Sequence, residues 1–302
     1  MRELHSALAR GLLPAGVRKS IKWVVYSGWF GFGCRRALRL LTRRPATIHV
    51  YPDDPRANGY VYAIKVIAHR LGCRFSTAPP KGRCVVMRWE DQTRGRLDER
   101  LERLAETRDV INYRCRDISK ARVEEVFKSV FGYSSWVDPL TYAGECVEKS
   151  NANGKADGRV VTCPLKEAKE GRVYQILINT RVDDEFVDEM RVPVFGKNIP
   201  MVLTKFKKIS DAFSYSVAGR LDEVADCLSP EEVKLILRFC DEIGLDCGEM
   251  DVLRDRTDAR LYIIDANNTP CLHFAGFSAK EEREVVRRMR AAFEQAFARR
   301  VS

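Results

Sequence analysis

The segment LYIIDANNTP, residues 261–270, ends an apolar run in an acid and two amides. Alternate side chains of an extended strand share a face, so Asp265 and Asn267 point the same way, and Asn268-Thr269-Pro270 reads as the turn that stops the strand. Oxygen donors paired in this way serve either a turn cap or a hard cation such as magnesium, which takes carboxylate and amide oxygens and is shared with phosphates. The strand before it, in CGEMDVLRD (247–255), carries Asp251 at a spacing that lets a hairpin return Asp265 beside it. Buried carboxylates side by side are costly unless cations neutralise them, so a metal accounts for Asp251, Asp265 and Asn267 better than a structural role does.

Cations are placed to match. CVEKSNANGKADGRVV (146–161) reads as a strand ending in Lys149, a loop with Gly154 and Gly158, and a second strand. That is either an ordinary Asn-Gly and Asp-Gly hairpin or a flexible flap that offers backbone N–H groups and an ammonium to phosphates. Arg191 sits inside the otherwise apolar strand FVDEMRVPVFG (186–196), where a guanidinium needs a partner or a cleft. Lys120 falls in the first turn of a helix, where the helix dipole disfavours a cation. Plain surface charge is the alternative for both.

These groups need elements to hold them. After Pro45 the pattern alternates: strand TIHVY (47–51), helix YVYAIKVIAHRLG (60–72), strand RCVVMRW (83–89), helix RLDERLERLAE (96–106) and strand DVINYR (109–114). This predicts a small open α/β sheet, without the G-x-G-x-x-G of a dinucleotide site. DISKARVEEVFKSVFG (117–132) predicts an amphipathic helix capped by Asp117 and stopped at Gly132. ECVEKS (145–150), GRVVTCP (158–164), RVYQILIN (172–179), FVDEMRVPVFG and IPMVLTKFKK (199–208) predict five strands of an antiparallel sheet. Two further helices open on capping boxes, Ser229 with Glu232 in 229–246 and Ser278 with Glu281 in 278–300, and Pro230 takes the first helical position of the former.

The chain has 302 residues, 45% hydrophobic and 31% charged, enough for two or three packed units. Its net charge of +10 suits an anionic partner, but much of the excess lies in the first 44 residues and the last helix, so charge identifies none and no nucleic acid is expected. The ten cysteines lack any Cys-x-x-Cys pair, which points away from zinc and redox motifs and toward reduced thiols in a cytoplasmic protein. WVVYSGWFGFG (23–33) is too short to span a bilayer and is followed by CRRALRLLTRR, so neither a signal peptide nor a membrane span is expected. Its aromatics and cations suit either a helix packed on the body or peripheral contact with a membrane surface.

Taken in order, Lys120, Lys149 with its loop, the strand YQILIN, Arg191, Asp251 and Asp265-x-Asn267 resemble the ATP-grasp superfamily over roughly residues 116–300. The resemblance implies an α+β fold in which two subdomains hold ATP between them. It implies a basic, aromatic extension (1–45), a small α/β domain (46–115) and an ATP-grasp domain (116–302). Asp251, Asp265 and Asn267 look like the ligands of magnesium, or of manganese in its place. Lys120, Lys149, Gly154 and Gly158 look like the phosphate-side groups, and Gln175, Ile176, Leu177, Ile178 and Asn179 like the hinge along which adenine lies. Arg191, with Lys149, looks like the residue that steadies the transferring phosphate. The chain departs from the pattern in having Asp265 where glutamate is common, and its 150–158 loop is poorer in glycine.

The activity implied is coupling of a carboxylate to an amine, on small molecules or peptides, through an acyl phosphate with release of ADP and phosphate. A kinase on the same scaffold and a non-catalytic ATP-binding accessory protein are the alternatives. Arg70, Arg88, Arg114 and Arg116, near the expected substrate pocket, would suit an acidic substrate.

Overall fold

The computed structural model describes residues 47–51, 57, 62–77, 84–96, 98–213, 216–272 and 274–301. The aromatic stretch 23–33 and the rest of the 1–45 extension lie outside them. Among the described residues no helix is long and apolar enough to cross a membrane.

The first unit is a four-stranded parallel sheet in the order β2-β1-β3-β4, built from β1 (Thr47–Tyr51), β2 (Arg74–Ser76), β3 (Cys84–Arg88) and β4 (Val110–Ile111). Crossover helices α1 (Ala63–Leu71) and α2 (Glu99–Thr107) connect them. Asp98 caps α2 by accepting the Arg100 and Leu101 N–H groups, and Gly72 ends α1 in the left-handed region. The strand expected over 109–114 stops after two residues because Asn112 turns left-handed, with φ of 59°. Its fully buried amide then serves as a tie. The Asn112 N–H donates to Asp246 Oδ2 at 2.7 Å, Nδ2 donates to the Cys247 carbonyl at 2.7 Å, and Oδ1 accepts the Cys247 N–H at 2.8 Å.

Helix α3 (Lys120–Phe131) follows. Its cap is Ser119, not the expected Asp117: Ser119 Oγ accepts the Arg122 N–H, while Asp117 Oδ1 accepts the Ser119 N–H at 2.7 Å and so braces the turn before the cap. The five strands expected in one antiparallel sheet are divided between two. β5 (Gly144–Ser150), β6 (Arg159–Cys163) and β7 (Arg172–Ile176) form a three-stranded sheet in the order β6-β5-β7. β8 (Phe186–Phe195) and β9 (Val202–Lys208) instead join β10 (Ala218–Asp222), β11 (Cys247–Arg254) and β12 (Leu261–Asn267) in the order β10-β9-β8-β11-β12. Strand spacing alone carries no information about which sheet a strand enters. Short α4 (Val224–Cys227), α5 (Pro230–Ile243) and long α6 (Ala279–Val301) complete the chain, and both expected capping boxes are present.

One face of the five-stranded sheet, through Met190, Val192, Met250 and Val252, shares a core with Val123 and Phe127 of α3 and Ile236 and Phe239 of α5. The other face is divided. Phe195, Leu203 and Cys247 join a second core with Ile64 and Ile67 of α1 and Val285 and Phe293 of α6, so the first unit and the last helix are packed as one body. The remainder of that face is charged and open.

Replacing Asn112 by alanine leaves the Cys247 N–H and carbonyl unpaired and puts a residue without a polar side chain in the left-handed region. The expected loss is about 3 kcal/mol in urea unfolding. A loss below about 0.5 kcal/mol, the range of ordinary surface changes, would show that the tie is not needed.

Candidate active site

The period of two along each strand places like-spaced polar pairs on the open face: Glu189 and Arg191 on β8, Lys205 and Lys207 on β9, Glu249 and Asp251 on β11, Asp265 and Asn267 on β12. Register then assembles them. Asp251 stands opposite Arg191 on one side and Asp265 on the other, and Glu249 stands opposite Asn267. The Arg191 guanidinium forks onto Asp251, Nε to Oδ1 at 2.9 Å and Nη2 to Oδ2 at 3.1 Å, and its Nη1 lies 2.9 Å from Glu249 Oε1. Lys205 Nζ is 3.4 Å from both Asp251 Oδ1 and Glu189 Oε1, and Lys207 Nζ meets Glu189 Oε2 at 2.7 Å.

Burial alone would raise Asp251, but Arg191 and Lys205 outweigh it and hold the carboxyl well below its usual range. The same acids overcome burial at Arg191 and raise it. Asp265 is shifted the other way: burial pushes it up and the charge of Asp251 adds to the effect, against Lys120. Glu249 is likewise raised by burial, despite Arg191.

The β11–β12 ladder slips between Asp251 and Val252, since Asp251 pairs with Asp265 and Val252 with Ile263. Ile264 is the residue left over, and a bulge frees backbone groups from the ladder. The Ile264 carbonyl accepts from Lys149 Nζ at 3.5 Å, a link from the five-stranded sheet to β5 on the facing wall. Burial, with Lys120 nearby, brings the Lys149 ammonium down to about 8. Lys120, the first residue of α3, lies 3.4 Å from Asp265 Oδ2.

The facing wall is fixed by its own polar contacts. Asn151 Oδ1 accepts the Ala121 N–H at 2.9 Å, and Asn153 Nδ2 donates to the Ala266 carbonyl at 3.3 Å, so the β5–β6 loop is pinned to α3 and to β12. Gly154 has φ of 70°, and a Cβ on Gly158 would stand 2.7 Å from the Phe213 ring, so that ring lies directly on the glycine. On β7, buried Gln175 donates to Ser135 Oγ at 2.7 Å, which in turn donates to Glu124 Oε2 at 2.5 Å. Leu177 beside it is 43% exposed.

Between the walls lies a cleft of about 1240 Å³. Lys120, Lys149, Gly154, Gly158, Gln175, Ile176, Leu177, Ile178, Arg191, Asp251, Asp265 and Asn267 all line it. Asn179 does not: its carbonyl accepts the Arg256 N–H at 2.8 Å and its Nδ2 faces Thr257 Oγ1, which turns it to the β11–β12 hairpin. None of the four arginines considered for an acidic substrate lines the cleft either. Arg88 is buried on Glu90 Oε2 at 2.6 Å, Arg114 pairs with Asp241 at 2.7 Å, and Arg116 lies over the Tyr113 ring near Glu102. Arg70 belongs to the last turn of α1.

Sequence reasoning missed Glu189, Lys205, Lys207 and Glu249, although the charged i, i+2 pairs in DEMR, TKFK and GEMD carried the signal. It also missed Phe213, Phe274 and Phe277, for which no local pattern pointed to a cleft. Among the described residues no group of three or more His, Cys, Asp or Glu is arranged for a metal. The oxygen set is instead two opposed carboxylates and the amide of Asn267, whose Oδ1 also caps the turn by accepting the Thr269 N–H at 2.9 Å and hydroxyl at 3.0 Å; ringed by ammonium and guanidinium groups, it is able to hold a polyanion together with a hard cation.

No family model matches the sequence, and no curated protein matches it. Among solved structures the chain is similar to the ATP-grasp ligase PsnB complexed with precursor peptide PsnA2 and AMPPNP, at 14% identity over 82% of this chain and 97% of that one, with a TM-score of 0.52. Another structure of PsnB, with a phosphomimetic variant of a minimal precursor, Mg and ADP, aligns over 63% of this chain and 65% of its own at 16% identity, with a TM-score of 0.43. D-alanine–D-alanine ligase from Bacillus anthracis complexed with ATP is similar at 11% identity over 85% and 98%, with a TM-score of 0.48. At these identities the likeness is one of fold, and it rests on the first of the three. Two α+β walls closing on a cleft, behind a small parallel sheet, agree with it: this chain has the ATP-grasp fold.

Proposed function

We propose that the chain is a magnesium-dependent ATP-grasp ligase that activates a carboxylate as an acyl phosphate and couples it to an amine, releasing ADP and phosphate. The observation that carries this is the opposition of Asp251 and Asp265, with Asn267, in a cleft whose facing wall presents Lys149 and whose near edge presents Lys120. On this reading residues 46–115 are the preceding domain and 116–302 the nucleotide-binding one. The PsnB structure of the same fold holds AMPPNP and a peptide, which supports a nucleotide in the cleft and a peptide or small molecule beside it.

The donor set fits the metal. Two carboxylates face each other in register, and the charge of Asp251 contributes to the raised proton affinity of Asp265, a repulsion that a divalent ion would relieve. Asp251, Asp265 and Asn267 would hold it, and bound magnesium would neutralise charge on the phosphoryl group being transferred. Arg191 holds Asp251 in a two-point grip and so fixes one ligand in advance. Lys149 and Lys120 supply charge to the phosphates, Gln175 to Ile178 offer the adenine edge, and the loop through Gly154 and Gly158 excludes water from an activated acid. No side-chain nucleophile is required. A kinase would use the same contacts with a hydroxyl as attacker.

Three outcomes test this. Asp265→Ala and Asn267→Ala should each abolish magnesium-dependent ATP turnover with the circular dichroism spectrum unchanged; wild-type turnover in either refutes the metal assignment. Lys149→Met should weaken AMPPNP binding by about 1.5–3 kcal/mol in calorimetry. The folded pKa of Lys149 is lowered from 10.5 to about 8, so the group's contribution to stability rises with pH between those values and its burial is a burden at pH 7. The variant should therefore melt several degrees higher than wild type at pH 7 without nucleotide, and the gain should shrink toward pH 10. Hydroxylamine added with a pool of carboxylates should trap a hydroxamate in step with ADP. A stable phosphorylated product would mean a kinase, and AMP with pyrophosphate would mean adenylation.

A further inference from the structure

The sheet that carries Lys149 has a second face, turned away from the cleft. Along β5 the period of two puts Val147 and Lys149 on the cleft side and Cys146 and Glu148 on the other. Glu148 gathers cations there, accepting Arg159 Nη2 at 3.0 Å and Arg172 Nε at 3.0 Å. Cys146, two residues earlier, meets another thiol: its Sγ lies 3.1 Å from Cys163 Sγ.

Register accounts for the meeting. β5 and β6 are antiparallel with Gly144 opposite Cys163 and Cys146 opposite Val161, so the two cysteines lie on a diagonal of one sheet face. Gly144 presents no side chain opposite Cys163, and Tyr174, Tyr142, Val137 and Leu165 pack around the pair. Cys146 is fully buried, and burial, with Cys163 beside it, pushes its thiol up to about 12. Cys163 is 6% exposed at the end of β6, an edge strand, so a small oxidant meets it first. An S–S bond is about 2.05 Å long, so an approach of roughly 1 Å separates the two thiols from a disulfide. Such a bond encloses residues 147–162, which hold Lys149 and the whole 150–158 loop. The base of that ring is already formed by the β5–β6 ladder, and Asp157 Oδ1 accepts the Ser150 N–H at 3.0 Å within it.

We propose that Cys146 and Cys163 are a modification site, converted by peroxide to a reversible disulfide that clamps the base of the 150–158 loop. The inference stands apart from the ligase reading, since neither cysteine lines the cleft. Cys163 Sγ attacks one peroxide oxygen, the O–O bond breaks, and water leaves with the thiol proton, giving a sulfenic acid. Cys146 Sγ then attacks that sulfur; the S–O bond breaks, and the departing hydroxide takes the Cys146 proton as water. The two sulfurs together lose two electrons, and one peroxide becomes two waters. A dithiol reductant reverses the bond by exchange.

Peptide mapping of the full chain after hydrogen peroxide treatment, with remaining thiols alkylated under denaturing conditions, tests the site. A Cys146–Cys163 linked peptide should appear, lighter by two hydrogens than its reduced parts, and should vanish with dithiothreitol. In the oxidised chain trypsin cleavage after Lys155 should slow about threefold and the melting temperature should rise by several degrees, both reversed by the reductant. Cys146→Ala and Cys163→Ala, each with the wild-type circular dichroism spectrum, should show neither change. The map is read on the wild type, so it decides the question even where an alanine variant does not fold. Alkylation of both cysteines after peroxide treatment, sulfinic acid on Cys163, or pairing of either with a different cysteine overturns the site. A linked peptide with trypsin cleavage and melting both unaltered overturns the clamp.

Discussion

Two carboxylates that face each other across a β ladder set the terms for the rest of this molecule. Left alone, Asp251 and Asp265 would repel each other in a half-buried site. The protein answers with a guanidinium fork on one, a lysine on the other and a second lysine behind, each delivered by a different element. Arg191 comes from the neighbouring strand, Lys205 from the strand beyond it, and Lys120 from the start of the helix that shares the core on the sheet's other face. The sheet order that brings β8 beside β11, and the packing that brings α3 over the end of β12, are therefore the same arrangement seen from two sides.

That arrangement also explains the opposite proton affinities of the two acids. Asp251 is held by the Arg191 fork at 2.9 and 3.1 Å and by Lys205 at 3.4 Å, while Asp265 has a lysine at 3.4 Å, no guanidinium, and the charge of its neighbour. One carboxylate is thus fixed as an anion, while the other keeps a raised proton affinity. A phosphate-bearing ligand would draw Lys120 and Lys149 toward itself, and a divalent ion would take over the compensation they now provide.

Most of this was legible in the residues, and the parts that were not share a cause. Local signals carried through: the hairpin that returns Asp265 to Asp251, the capping boxes at Ser229 and Ser278, and the cleft positions of Lys149, Arg191 and Asn267. What failed needed long-range information. Nothing local distinguishes β7 from β8 as members of different sheets, and the turn at Asn112 depends on a partner strand far along the chain. Arg88 looked like a substrate contact because a buried Glu90 two residues away was not weighed as its partner. Asn179 fell one step past the wall because the strand ends at Ile176 and the chain then turns toward Thr257.

The core shared by α1 and α6 has a consequence for how the chain is made. Residues 48–111 emerge early from the ribosome, yet their apolar faces are completed by Val285, Met289 and Phe293, near the other end. The parallel sheet cannot be sealed until synthesis has passed those positions, so its inner surface must wait, exposed, through the translation of everything between. The α3/α5 core draws on residues 115–266 only and can close before α6 is made. The α3/α5 core can therefore consolidate before the parallel sheet is sealed, although its residues follow those of that sheet in the chain.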